Sequence, residues 1–558
     1  DLVLLPLAIG VFFLLAWASG HTPAGNYVGL RPTLSLDPKF LPLYALKTTL
    51  RMLCALAFSF LFTIVVGSWA AKSPRAEKIV IPLLDIGQSV PILGFLPFAL
   101  LWVVKGIPNP MVSANIAAIF AIFTSQVWNM AFSYYQSLRM LPKELKQAAS
   151  VFQLSRWQRF RRLEFPHALP QLVWNTMMSV SGGWFFVVAA EAITVSNHRV
   201  LLPGIGSYIS VAIAHRDLGA IGWALAAMFV VIMLYDQLAF RPLVAWAEKF
   251  KMHPSGGEEP QSWMLDLLRR SALVERARSG AQALARSLRR RRQARQDRPA
   301  RERARIVRLT PRIGETTWNM LLAAIAVATV VLLGRYIVAG VGPGEVGQVF
   351  LIGSYTLARV LVLTLLASLV WVPIGVAIGL RPKWTRRAQP LVLFLSAFPA
   401  NLLFPLFVIV ILHWHLAPQI WLSPLMVLGA QWYILFNVIA GAQQIPGELR
   451  EAADSLGLRG WRRWRRLYLP AVLPAYVTGG LTAAGAAWNA SIVAEIVNWG
   501  GRTLKASGLG SYITEQATAG DQPRLVLGIA VMIIYVLLMN RLLWARLYRL
   551  AEARFAET

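Results

Sequence analysis

Glu191 and Glu495 are carboxylates set in long apolar runs. An ionisable group there is costly unless it faces a cavity or a partner. Two readings stand for each. One is a lining or gating group of a polar pathway. The other is a hydrogen-bonding partner of a neighbouring helix, or of the Gly-x-Gly-Ser-Tyr turn that follows at Gly204 and at Gly508. Trp184 and Trp488 lie seven residues earlier, two helical turns back on nearly the same face, and share the pathway reading. Asn489, Gln88 and Asn401 are further polar candidates for that pathway, with Ser89, Trp128, Gln431 and Trp432 also in apolar runs. Asn489 has Phe185 as its counterpart in the other half, so a lumen between them would be asymmetrically lined.

Other chemistry is poorly supported. No Ser/His/Asp constellation or paired-carboxylate site stands out, and covalent catalysis is not expected. His413-Trp-His415 reads as interfacial packing at a helix end, not a metal pair, and no metal site is expected. Gly342-Pro-Gly344-Glu-Val-Gly347 fits Gly-x-Gly-x-x-Gly, but in an external loop with no βαβ unit around it. No Gly-x-x-x-x-Gly-Lys-Ser/Thr phosphate loop is present, so no cofactor is expected in this chain and any ATPase would be another one. A lone cysteine, Cys54, excludes an intramolecular disulfide.

The elements that must position these groups are membrane helices. The chain has 558 residues, of which 56% are hydrophobic and 15% charged, with a net charge of +29. Soluble domains carry roughly 25% charged residues. The 21 Trp, 26 Phe and 14 Tyr exclude a disordered chain. Apolar runs near 2–19, 41–71, 79–104, 112–136, 170–196 and 217–240 predict six spans. Runs near 316–340, 350–380, 388–412, 420–442, 473–499 and 523–547 predict six more. The fold class expected is an all-α integral membrane protein of about 12 helices, with Leu2–Ala18 read as a helix that stays.

With both termini inside, segments 72–79, 139–166, 241–312, 381–387, 448–470 and 541–558 are cytoplasmic. They hold 43 of the 55 Lys and Arg but 15 of the 26 Asp and Glu, nearly the whole net charge. That bias orients a multi-pass membrane protein with both termini inside. The basicity is thus mainly a topology signal.

The chain divides into a first six-helix repeat at 1–240, a basic linker at 241–312 and a second repeat at 313–558. The repeat is internal and direct. Pro142/Pro446, Glu144/Glu448, Pro166/Pro470, Trp184/Trp488 and Glu191/Glu495 are all 304 residues apart. Gly67/Gly375, Pro74/Pro382, Pro82/Pro390, Pro91/Pro399 and Pro97/Pro405 are 308 apart. Parallel repeats predict a pseudo-two-fold axis along the membrane normal with a pathway between them. The linker, with Arg289-Arg290-Arg291-Arg292, reads as amphipathic helix on anionic lipid headgroups; no nucleic-acid partner is expected, for want of interleaved aromatics.

Between spans four and five each half carries a short cytoplasmic helix bracketed by prolines. Half one has Glu144, Gln147-Ala148-Ala149, Gln153 and Arg161; half two has Glu448, Glu451-Ala452-Ala453, Gly457 and Arg465. The Ala-Ala pair offers a smooth face for close packing, and the Arg cluster supplies donors. This loop resembles the EAA loop of binding-protein-dependent ABC importer permeases, and Ala190-Glu191 and Ala494-Glu495 with their Gly-x-Gly turns resemble the nitrate/sulfonate/taurine/bicarbonate branch. The resemblance spans about 40–245 and 350–550. It implies a fused two-repeat permease of the type I importer fold, two cytoplasmic ATPase subunits carrying ATP and Mg, and a periplasmic binding protein delivering a small, anionic solute. Gln147 and Gln153 depart from the pattern. A glycine ends a helix cheaply and a glutamine does not, which predicts that loop 448–470 transmits more of the coupling than loop 144–166. The rival readings are a secondary transporter, against which the paired loops argue, and a membrane-anchored nucleic-acid or lipid-binding protein acting through the linker.

Overall fold

The computed structural model describes residues 34–89, 92–94, 110–195, 198–250, 315–499 and 501–555. The predicted span at 2–19, the linker from 251 to 312 with its Arg run, and the external loop between 97 and 109 lie outside the described residues.

Half one runs α1 (Leu41–Lys72), α2 (Pro74–Ser89), α3 (Pro110–Arg139), α4 (Lys143–Val151), α5 (Phe165–Glu191), the hairpin β1 (Ala192–Val195) and β2 (His198–Leu201), α6 (Ile205–His215), α7 (Leu218–Tyr235) and α8 (Arg241–Ala247). Half two opens with α9 (Glu315–Gly340) and repeats the series. It has α10 (Pro343–Gly379), α11 (Pro382–Ala397), α12 (Phe404–His413), α13 (Gln431–Gln443), α14 (Gly447–Ser455) and α15 (Leu469–Ala494). The hairpin β3 (Ile496–Trp499) and β4 (Arg502–Lys505), α16 (Leu509–Ala519), α17 (Gln522–Met539) and α18 (Ala545–Phe555) complete it.

α1 is built largely inside-out relative to a helix of a soluble protein. On α1 the buried positions include Thr48, Ser59, Thr63, Gly67 and Ala70, while Leu46, Leu50, Phe58, Leu61, Val65 and Trp69 are exposed. Lipid chains are as apolar as leucine, so helices in a bilayer associate through small and hydrogen-bonding residues. Gly67 illustrates this: a Cβ there would stand 2.7 Å from the Tyr134 ring. Its repeat mate Gly375 meets Val438 in the same way, at 2.8 Å.

Local chemistry sets the boundaries. Pro74, Pro343 and Pro382 open helices at the position where a missing N–H is harmless. Asp217 and Asp521 cap α7 and α17 by accepting from Ala220 N and Arg524 N. Just before them Arg216 (φ 57°) and Gly520 (φ 77°) end α6 and α16 in the left-handed conformation. A π-turn recurs at Phe160–Glu164 and Trp464–Tyr468, and another at Asp236–Phe240 and Asn540–Trp544.

Eight helical stretches among the described residues are long and apolar enough to cross a membrane, against the 12 spans expected. Run 388–412 is not one span. Phe398 sits extended (ψ 124°) ahead of Pro399, which breaks the chain between α11 and α12, because the residue before proline disfavours the helical region. Run 420–442 lies in a counted stretch, but it holds two one-turn helices before α13. Runs 170–196 and 473–499 overshoot: α5 stops at Glu191, α15 at Ala494, and the β-branched Ile193-Thr194-Val195 and Ile496-Val497 enter strands. Among the described residues the fold is therefore all-helical except for one antiparallel hairpin per half, paired Ala192↔Leu201 to Val195↔His198 and Ile496↔Lys505 to Trp499↔Arg502. Gly342-Pro-Gly344 is not an external loop either; Gly342 caps α10 and the rest lies within it.

The halves interlock. α11 of half two packs on α5 and α7 of half one, and α2 of half one packs on α17 of half two. Each hairpin touches the short helix of the opposite half, β1 against α16 and β3 against α6. The largest core cluster holds both Trp184 and Trp488 and so belongs to neither half alone.

Candidate functional site

At one end of the molecule the two proline-bracketed loops fold alike. α4 and α14 are nine residues each, start after Pro142 and Pro446, and bury Ala149 and Ala453. Both close with the same pair of bonds: Phe152 N and Leu154 N donate to Ala148 O and Ala149 O, and Leu456 N and Leu458 N donate to Ala452 O and Ala453 O. The closing residue is left-handed in both, Gln153 at φ 48° and Gly457 at φ 64°. Gln153 thus takes the conformation that its lack of a glycine's freedom argued against. The backbone bonds around it outweigh the roughly 1–2 kcal/mol that an L-residue loses there. Glu144, Gln147, Glu448, Glu451, Arg161 and Arg465 are all exposed. So are Val151, Phe152 and Trp157 of the first loop and Leu456 and Trp461 of the second.

Ion pairs tie this end to the frame. In half one Lys72 and Arg159 both pair with Glu164, at 2.6 and 3.1 Å, and Arg139 pairs with Glu77 at 3.3 Å. In half two the mate of Glu164 is Tyr468, and Arg463, the mate of Arg159, pairs with Asp454 and stands 5.4 Å from the centre of the Tyr468 ring. Lys72, Arg139 and the loop base are therefore at one end.

Toward the opposite end each half holds one buried polar node. Glu191 is 0% and Glu495 1% exposed. Glu191 accepts from Arg51 Nη1 at 2.6 Å, Thr48 Oγ1 at 2.7 Å and Gly206 N at 2.8 Å. Glu495 accepts from Arg359 Nη1 at 2.9 Å, Thr356 Oγ1 at 2.8 Å and Gly510 N at 2.8 Å. The threonines also accept from Ile205 N and Leu509 N, and the arginines reach Pro203 O and Ser507 O. One carboxylate therefore joins α1 or α10, the end of α5 or α15, and the turn into α6 or α16. Of the two readings of these glutamates, the structure contains the bond to the turn. It also explains the first glycine of each Gly-x-Gly: a Cβ at Gly204 or Gly508 would stand 2.3 Å from the carboxylate oxygens.

The sequence reasoning passed over Arg51, Arg359, Thr48 and Thr356. A signal existed. Thr-x-x-Arg recurs at the 308-residue offset inside two apolar runs, and a charge there needs a partner of opposite sign. Tyr512, outside the eight spans, donates to Glu345 at 3.1 Å, and burial first, then the Glu345 charge, push its hydroxyl above the usual phenol range.

The other candidates scatter. Trp184 and Trp488 are fully buried; Trp184 packs edge-on against Tyr235, and the Trp488 indole N–H has no partner among the described residues. Asn489 does cross the seam between halves, accepting from Ile92 N at 2.7 Å. Asn401 crosses it too, donating to Phe185 O at 3.5 Å, while its own side-chain oxygen is buried without a partner among the described residues. Gln88 falls on the last turn of α2, and its side chain lies outside the described residues. A small cavity of about 60 Å³ lies on this seam, walled by Ser181, Phe185, Phe186, Phe398, Met426 and Tyr433. His413 and His415 are exposed, and no group of three metal-ligating side chains occurs among the described residues.

Comparison with known proteins gives one family, described as "Binding-protein-dependent transport system inner membrane component", which matches twice, over residues 63–239 and 371–556. The chain is 26% identical over 234 residues to the glycine betaine/proline betaine transport system permease protein ProW of Escherichia coli, covering 42% of this chain and 61% of that protein. It is 25% identical over 267 residues to the bicarbonate transport system permease protein CmpB of Synechococcus elongatus, covering 45% of this chain and 90% of that protein. It is 27% identical over 170 residues to the nitrate import permease protein NrtB of a Synechocystis species, covering 30% of this chain and 57% of that protein. The chain thus spans less than two thirds of the length of ProW and of this NrtB.

Proposed function

Since the chain belongs to the family of binding-protein-dependent transport system inner membrane components, we propose that it is both permease halves of one ATP-driven importer. In this reading the exposed faces of α4 and α14 each seat one cytoplasmic ATPase subunit, which carries the ATP and Mg. A periplasmic binding protein delivers the solute, and closure of the ATPase dimer rocks the two halves between inward- and outward-facing states. The solute is small and anionic, by analogy with the relatives named for nitrate and bicarbonate. Both termini lie in the cytoplasm.

The observation that carries this reading is the pair of loops. Two nine-residue helices, 304 residues apart in sequence, close with identical backbone bonds and leave large apolar side chains in water. Exposed apolar groups beside an Arg cluster at a membrane surface suit a protein partner. The shared closure removes the geometric ground for unequal coupling; what remains unequal is the strain at Gln153.

The test is co-purification of the chain with its native ATPase, followed by ATP hydrolysis with and without binding protein and candidate solutes. A stable complex whose hydrolysis rises with loaded binding protein is expected. Solute uptake by the chain alone, driven by an ion gradient, would replace this reading with a secondary transporter.

A further inference from the structure

A second cavity, of about 330 Å³, lies between α5 and α7 of half one and α11 of half two. Its walls are apolar, with Met177, Trp184 and Phe394 inside and Phe229, Met233 and Leu391 on an exposed rim. In a bilayer that rim faces acyl chains.

One end of the cavity is charged. Arg241 pairs with Asp236 at 2.9 Å, and both line the space. Arg387 lines it as well, is exposed, and has no hydrogen-bond or ion-pair partner among the described residues. The net charge there is +1. Arg387 stands in the first turns of α11 and Arg241 just beyond the end of α7. Both segments were counted with the basic end of the chain. The repeat mates are uncharged: Asn540 for Asp236, Ala545 for Arg241 and Ile79 for Arg387. The three charged groups of this mouth are therefore not repeated at their mate positions.

We propose that this seam binds one anionic phospholipid, with an acyl chain in the apolar cavity and the phosphate on Arg387 and Arg241. A basic mouth between membrane helices at the basic end, opening on an apolar slot, complements such a molecule at both ends. The lipid would bridge the two halves, because α5 and α7 belong to one and α11 to the other. Their relative motion would then feel the lipid.

The experiment uses the full chain with its ATPases in nonionic detergent, stripped of lipid and titrated with phosphatidylglycerol under native mass spectrometry. Phosphatidylethanolamine of the same chains and inorganic phosphate are the comparison arms. Expected is one tightly retained phosphatidylglycerol, weakened about tenfold by Arg387→Gln and kept by Arg387→Lys, as for a hydrogen bond to a charged group. Met233→Trp, which narrows the slot from the rim, should weaken it too, and this variant keeps the test open if Arg387→Gln is poorly expressed. Phosphatidylethanolamine should bind at least tenfold more weakly, and millimolar phosphate should not displace the lipid. Equal retention by wild type and both weakening variants, equal binding of phosphatidylethanolamine, or one-for-one displacement by phosphate would overturn the proposal.

Discussion

The two halves agree where the frame is held and differ where it is adjusted. The Glu–Arg–Thr–Gly node, the loop closure, both π-turns and the hairpin recur at fixed offsets. The left-handed helix ends recur too, but their residues do not. Half two places Gly457 and Gly520 there, and half one places Gln153 and Arg216. Glu164 becomes Tyr468, and Thr176 with Phe240 becomes Gly480 with Trp544. Backbone geometry is thus fixed by the surrounding bonds, and side chains change inside it. A homodimeric permease cannot make its halves unlike; a fused chain can.

The largest effect should come from the shared nodes. Glu191→Ala leaves Arg51 buried without its counter-charge, and loss of one partner of such a pair costs roughly 3–5 kcal/mol. Glu495→Ala should cost less, since the Arg359 side chain is 14% exposed against 6% for Arg51. Thermal unfolding of the detergent-solubilised protein measures both. Equal midpoints for Glu191→Ala and wild type would mean the node does not hold the frame.

Next comes the packing swap. A Cβ at Gly480 would stand 2.3 Å from the Trp544 ring. Gly480→Thr alone should therefore destabilise by about 1–3 kcal/mol. Trp544→Phe in the same chain recreates the half-one pair and should recover a large part. If the double variant melts no higher than Gly480→Thr, the two sites are not complementary.

Strain gives a smaller effect. Gln153→Gly removes a left-handed L-residue and should stabilise the loop by up to about 1 kcal/mol, while Gly457→Gln should do the reverse. Hydrogen exchange across 143–160 and 447–464 reads this directly. Opposite signs sharpen the comparison, and identical protection of both variants would remove strain as a difference between halves. The smallest is at Arg463, where Tyr468→Leu removes a ring worth about 0.5–1 kcal/mol to the half-buried guanidinium.

Much of this was legible in the sequence because repeats and charge bias are local in the text. The offsets of 304 and 308 marked the loops, the glutamates and the Gly-x-Gly turns before any contact was known. The Arg51–Glu191 pair was not legible from periodicity, since it joins residues 140 apart. The hairpins were lost because their β-branched residues are as apolar as the helix they follow. The break at Pro399 was written in the sequence, yet the hydropathy of 388–412 hid it. Gln153 shows the limit of reading a helix end from residue type: propensity favoured glycine, and the backbone hydrogen bonds from Phe152 N, Gln153 N and Leu154 N decided otherwise.

The central claim is that one chain engages two ATPase subunits through two equivalent loops. Cys54 is the lone cysteine, so Cys54→Ala gives a clean background. Single cysteines at Ala148 or at Ala452, cross-linked to the purified ATPase by a short bifunctional reagent, test the claim most directly. Each variant should link to one ATPase subunit and the double variant to two, with no link in the Cys54→Ala background alone. Linkage through one loop only, or through neither, would contradict it.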